Sequence, residues 1–70
     1  MRFGEWLKQE RQRQHLTGAA LARRTGVSQS YISALETGAR SSPTLYAATR
    51  LADGIGIKLW VALRDTEIIE

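Results

Sequence analysis

Between residues 17 and 38 the chain reads TGAALARRTGVSQSYISALETG, with Ala22, Gly26, Val27, Ile32 and Leu35 spaced as two short helices need when they cross over a tight turn. Ala22 falls where such helices approach most closely, and Gly26 suits the φ > 0 conformation that ends the first of them. Val27, Ile32 and Leu35 are expected to face inward, which leaves Ser28, Gln29, Ser30, Ser33, Ala34 and Thr37 on the opposite face. Thr17 and Ser28 are good N-caps, each bracketed by an apolar pair, Leu16 with Leu21 and Val27 with Ile32, in the manner of a hydrophobic staple.

Two capped helices joined by a Gly turn have the dimensions of a helix-turn-helix, whose second helix enters the major groove of DNA. An ordinary αα-hairpin carries the same caps and turn. The uncharged polar outer face and the basic charge around it favour the DNA reading. Upstream, Phe3, Leu7, Arg11 and Gln14 recur at helical spacing and predict a first helix over about residues 2–14 with Leu7 in the core. Trp6 lies off that stripe, where it either covers the core edge or meets a partner. Downstream of a polar loop, Ser42 and Pro43 read as the cap and first turn of a fourth helix. Its buried face is Leu45, Ala48, Leu51, Ala52 and Ile55; Asp53 and Gly54 weaken its last turn, and Gly56 stops it.

The apolar period then changes. Ile55, Ile57, Leu59, Val61 and Leu63 alternate with Gly56, Lys58, Trp60, Ala62 and Arg64, a period of two that predicts a strand. A fifth helix would have to start at Ile57 or Lys58 without a good cap and leave Trp60 and Val61 toward solvent. A lone strand must pair with something, and the same strand of a second copy is the most economical mate. Ile57, Leu59, Trp60, Val61 and Leu63 are therefore expected to make a dimer contact, with Trp60 near the two-fold axis. The expected fold is mainly α: a four-helix unit over residues 1–56, one C-terminal β-strand over 57–64 pairing across a homodimer, and a short acidic tail over 65–70.

Charge sharpens the functional expectation. Residues 1–40 carry Arg2, Lys8, Arg11, Arg13, Arg23, Arg24 and Arg40 against Glu5, Glu10 and Glu36, while residues 41–70 carry Arg50, Lys58 and Arg64 against Asp53, Asp65, Glu67 and Glu70. The basic half is the half with the helical pair, so a polyanion is the simplest partner. Seventy residues make one small domain with a modest core, for which oligomerisation adds stability. The chain has no cysteine, which removes disulfides and thiolate zinc sites and is compatible with a reducing cytoplasm. Neither a signal peptide nor a membrane-length apolar run is present, so a soluble intracellular location is expected. With His15 the only histidine, no paired carboxylates in a fixed constellation and no Gly-rich phosphate loop, neither an enzyme nor a cofactor is expected, nor is a small-molecule ligand evident. His15 is expected to be solvated at the end of the first helix.

Taken together, LKQER, LARRTGVSQSYISALETG and the Pro43 to Gly56 helix resemble the lambda-repressor and Cro-like helix-turn-helix family, also called the xenobiotic-response-element family, over about residues 3–57. The resemblance implies a salt bridge between Arg11 and Glu36 tying the first helix to the recognition helix. It also implies that Gln29, Ser30 and Ser33 occupy base-reading positions; a Gln amide can pair with adenine in a bidentate way, and Ser reads either base type less specifically. Gly18 stands where the family commonly has Gln, leaving only backbone N–H groups to meet phosphate there. Phosphate contacts are then expected from Arg40 and Tyr31, with Ser41, Ser42 and Thr44 as donors and Arg23 or Arg24 as weaker candidates. Glu10 takes a position usually apolar in the family, which suggests a looser first-helix contact.

Beyond residue 57 the alternating segment resembles the dimerising strand of HipB-like antitoxins. The expected function is a transcriptional repressor that binds double-stranded DNA at a pseudopalindromic operator as a homodimer, in the cytoplasm on the nucleoid. The alternatives are an antitoxin that silences a toxin protein and autoregulates its operon, or an interaction adaptor that binds no DNA.

Overall fold

The computed structural model describes residues 1–66. Five helices follow one another: α1 (Phe3–Arg13), α2 (Gly18–Thr25), α3 (Gln29–Thr37), α4 (Leu45–Ile55) and α5 (Leu59–Asp65). The core is built from Phe3, Trp6 and Leu7 of α1, Leu21 of α2, Ile32 and Leu35 of α3, Ala48, Leu51, Ala52 and Ile55 of α4, and Ala62 of α5. Val27 and Ala22 pack against it from partly buried positions. Trp6 covers the core edge, its ring tilted against Phe3 at 5.3 Å between centroids.

The helix-turn-helix begins and ends where its local chemistry requires. Thr17 Oγ1 accepts from the N–H of Ala20, and Ser28 Oγ accepts from the N–H of Tyr31, each satisfying one of the orphan donors of a helix start. Gly26 adopts φ 79° and its N–H donates to the carbonyl of Ala22, closing α2. His15 is exposed at the end of α1, as expected, and it also shapes that end. His15 takes φ 58°, and the N–H groups of His15 and Leu16 return to the carbonyls of Gln12 and Arg11, so a histidine fills the left-handed position of a Schellman turn.

Three expectations are corrected. First, the cap of α4 is Thr44, whose Oγ1 accepts from the N–H of Ala47; Ser42 and Pro43 precede it in buried positions. Ala48, Leu51, Ala52 and Ile55 are buried as expected and Ala47 joins them, whereas Leu45, the first residue of the helix, is 61% exposed. Second, Gly54 has a packing role that the expected weakening of the last turn left out, because a Cβ there would overlap the side chain of Thr25.

Third, the alternating segment is helical: no strand occurs among the described residues, and Leu59–Asp65 forms α5. The N–H of Ile57 donates to the carbonyl of Ala52 and that of Gly56 to Asp53, so Ile57 completes the Schellman turn that closes α4. The inward set is then Leu59, Ala62 and Thr66, at helical rather than alternate spacing, with Thr66 Oγ1 donating to the carbonyl of Ala62. Within one chain a helix satisfies its own backbone groups, which a single strand cannot do. Of the residues expected on a pairing strand, Ile57, Leu59 and Val61 are partly buried, while Trp60 and Leu63 are exposed. The tail expected over 65–70 lies, from Glu67 onward, outside the described residues; Asp65 ends α5 and pairs with Arg64.

Candidate nucleic-acid interface

The outer face of α3 carries Gln29, Ser30 and Ser33, all exposed. Ser28 is committed to capping, and its Oγ lies 3.4 Å from that of Ser30. Gln29 extends alongside the start of α2: a Cβ at Gly18 would stand 3.8 Å from its Nε2. Gln29 thus lies beside the start of α2, at ordinary packing distance from position 18.

A second group of expected residues gathers between α3 and α4. Arg40, Ser41, Ser42 and Thr44 line one cleft of ≈ 510 Å³ together with Leu45. Tyr31 of α3 reaches across to the cap of α4 beside this cleft. Its hydroxyl oxygen accepts from the N–H of Thr44 at 3.1 Å, and the Arg40 guanidinium lies 4.7 Å from its ring centroid. Burial pushes the Tyr31 phenol up, but the Thr44 N–H and the nearby Arg40 charge outweigh it, so the group titrates below the ordinary tyrosine value. Accepting from Thr44 leaves the Tyr31 O–H itself able to donate.

Arg11 and Glu36 meet through a bidentate pair. Arg11 Nε donates to Oε2 and Nη2 to Oε1, both at 2.9 Å, with the two side chains 15% and 10% exposed. Hydrogen bonding to Glu36 raises Arg11 further above its ordinary value, against the lowering effect of burial. Glu10, expected to loosen the contacts of α1, is partly buried and approaches Arg13 at 3.5 Å.

Of the weaker candidates, Arg23 is exposed, whereas Arg24 donates to the carbonyl of Gly54 at the end of α4. Two residues not singled out beforehand border the turn. Arg50 Nε donates to the carbonyl of Thr25 at 2.8 Å, and Tyr46, 70% exposed, lies beside the Arg50 guanidinium. The Arg50 to Thr25 bond spans 25 positions and has no local signature, whereas Tyr46 and Arg50 stand four residues apart on one face of α4, a spacing the sequence does show.

The same architecture occurs in solved structures. The chain is similar to SinR, the master regulator for biofilm formation, in a crystal structure in complex with DNA: the TM-score is 0.81 at 23% identity, over 87% of this chain and 97% of that one. It is also similar to a chain of the SinR protein/SinI protein complex, with a TM-score of 0.81 at 22% identity, over 90% of this chain and 61% of that one. At these identities the likeness shows the shared fold. No curated protein matches the chain in sequence. Residues 7–59 match the helix-turn-helix family model of Cro/C1 type, and the chain belongs to that family of DNA-binding transcription regulators.

Proposed function

We propose that the chain is a sequence-specific repressor that binds a pseudopalindromic operator as a homodimer, on the nucleoid in the cytoplasm. The observation that carries this reading is the pairing of two surfaces: an exposed, uncharged hydrogen-bonding face on α3, and beside it the cleft of Arg40, Ser41, Ser42 and Thr44. The first suits base edges and the second suits phosphate oxygens. In this reading Gln29, Ser30 and Ser33 read bases; Tyr31, Arg40, Ser41, Ser42, Thr44 and the α2 N-terminus at Gly18 hold the backbone. Two copies about 34 Å apart enter successive major grooves on one side of the duplex and block polymerase access. The antitoxin alternative drew on a C-terminal strand, and with α5 in that place the reading loses its ground.

Selection of bound duplexes from a random pool tests the class directly, since a repressor of this kind enriches a palindrome. On the selected site, Gln29→Ala is expected to cost about 1–3 kcal/mol and relax preference at one base pair per half-site. Arg40→Ala is expected to weaken all sequences alike and to reduce the salt slope by about 1. Equal losses for both variants on selected and random duplexes would refute the assignment of α3 as the base-reading helix.

For the dimer, the exposed Trp60 and Leu63 of α5 are the surface proposed to meet a second copy. Trp60 is 60% exposed with Arg64 stacked 5.4 Å from its ring centroid, an apolar area that a partner would cover. Trp60→Glu is expected to sediment as a monomer that keeps half-site binding but loses the gain from linking two half-sites. A Trp60→Glu protein that remains dimeric removes α5 from the interface.

A further inference from the structure

The carbonyl of Thr25 ends α2 and has no partner within its own helix, as for every last-turn carbonyl. Its residue is 3% exposed, so water is a poor substitute. Arg50, from the middle of α4, supplies the bond through Nε at 2.8 Å, and its Nη2 lies 3.1 Å from where a Cβ on Gly26 would stand. Around this contact the turn is held at two other points: the Thr25 hydroxyl donates to the carbonyl of Leu21 and accepts from the N–H of Val27, and the Gly26 N–H donates to Ala22. The centroid of the exposed Tyr46 ring lies 5.7 Å from the Arg50 guanidinium carbon.

We infer that Arg50 is a positioning residue for base reading, acting from α4 on the Thr25–Val27 turn that aims α3. The inference rests on the proposed role of the α3 face. Base edges are read only when donors and acceptors align in register, whereas phosphate contacts tolerate displacement, so loosening this turn penalises the cognate site more than random DNA. Arg50 suits the task because its Nε–H has a fixed direction in the rigid guanidinium plane, which a freely rotating lysine ammonium lacks. Thr25 and Arg50 sit on different helices, so the bond also transmits the packing of α4 to the start of the recognition helix.

Arg50→Ala and Arg50→Lys test this, with amide exchange in the free protein and affinities for selected and random duplexes across a range of salt. Both variants are expected to speed exchange at Gly26 and Val27 while leaving the Leu51 amide in the core unchanged. Both are expected to reduce the ratio of selected to random affinity by about tenfold, within the range by which residues without ligand contact shift affinity. The salt slope stays as in the parent. Equal loss on both duplexes with a shallower salt slope would make Arg50 a phosphate contact and overturn the inference. Full recovery of the ratio by Arg50→Lys would do the same, because charge alone would then suffice. A fall in thermal stability with exchange at the turn and the affinity ratio both unchanged would reduce Arg50 to a packing role and also overturn it. If the parent protein shows no sequence preference, the repressor reading fails, and exchange at Gly26 and Val27 alone then decides whether Arg50 holds the turn.

Discussion

Gly4→Ala is expected to lower the melting temperature by roughly 10–20 °C, from a destabilisation of about 2–3 kcal/mol at the usual 4–8 °C per kcal/mol for a domain of this size. Position 4 lies in the first turn of α1, where alanine by itself favours the helix by roughly 0.5–1 kcal/mol. The packing term opposes that gain and exceeds it. A Cβ on Gly4 would overlap the carbonyl oxygen and carbon of Leu35 in α3, and a backbone carbonyl cannot rotate away as a side chain can. The only relief is separation of α1 from α3, which would draw Phe3 and Leu7 away from Leu35 and Ile32 in the core they share. Thermal or urea unfolding of the variant measures the effect. A melting temperature equal to or above that of the parent would mean that α1 and α3 do not approach through this glycine. The neighbouring helix pair offers a milder comparison at Gly54, because the atom in the way there belongs to the Thr25 side chain.

The helix-turn-helix itself was legible because its signals are local. Thr17, Ser28 and Gly26 act on backbone groups within four residues, and each does in the structure what its residue type suggests. The Arg11 to Glu36 pair came instead from the family resemblance, since 25 residues separate the partners. Where the reading failed, two patterns competed on the same residues. Apolar residues at 55, 57, 59, 61 and 63 fit a strand by alternation, yet Ile55 and Ile57 belong to the end of α4, and only the remainder forms α5. Once those two are removed, too few alternating positions remain to distinguish a strand from a short helix. At α4, Ser42 and Thr44 were both chemically able caps. The choice fell to Thr44, whose N–H is held by the Tyr31 hydroxyl 13 residues earlier. Gly4, Gly54 and the Arg50 to Thr25 bond had no signature of their own, because each depends on which backbone lies opposite after folding.

Removing either member of the Arg11 and Glu36 pair is expected to cost about 2–4 kcal/mol, toward the range seen when one partner of a buried ion pair is deleted. The pair is mostly shielded, with 15% and 10% of the side chains exposed, so solvent screening reduces the effect only in part. Arg11→Ala is the more damaging change. Besides the fork to Glu36, its Nη1 donates to the carbonyl of Leu16 at 2.8 Å, which fastens the α1 to α2 turn where His15 holds its left-handed conformation. Glu36→Ala leaves that bond in place. A double-mutant cycle is therefore expected to show a coupling of about 1–3 kcal/mol, with Arg11→Ala alone exceeding Glu36→Ala by the share carried at Leu16. Replacement of both by apolar residues of similar volume, Arg11→Met with Glu36→Leu, is expected to recover much of the stability, because the expensive state is one charge left without its mate. Glu36 sits near the end of α3 and Arg50 acts at the turn before its start, so the two Arg contacts hold the recognition helix from opposite ends. Glu36→Ala should accordingly weaken binding to the selected duplex more than to random DNA even at temperatures where the variant is fully folded. Additive single-mutant effects in the cycle would show that the two side chains stabilise the fold independently, and the tether between α1 and α3 would then have to reside in the apolar contacts of Phe3 and Leu7.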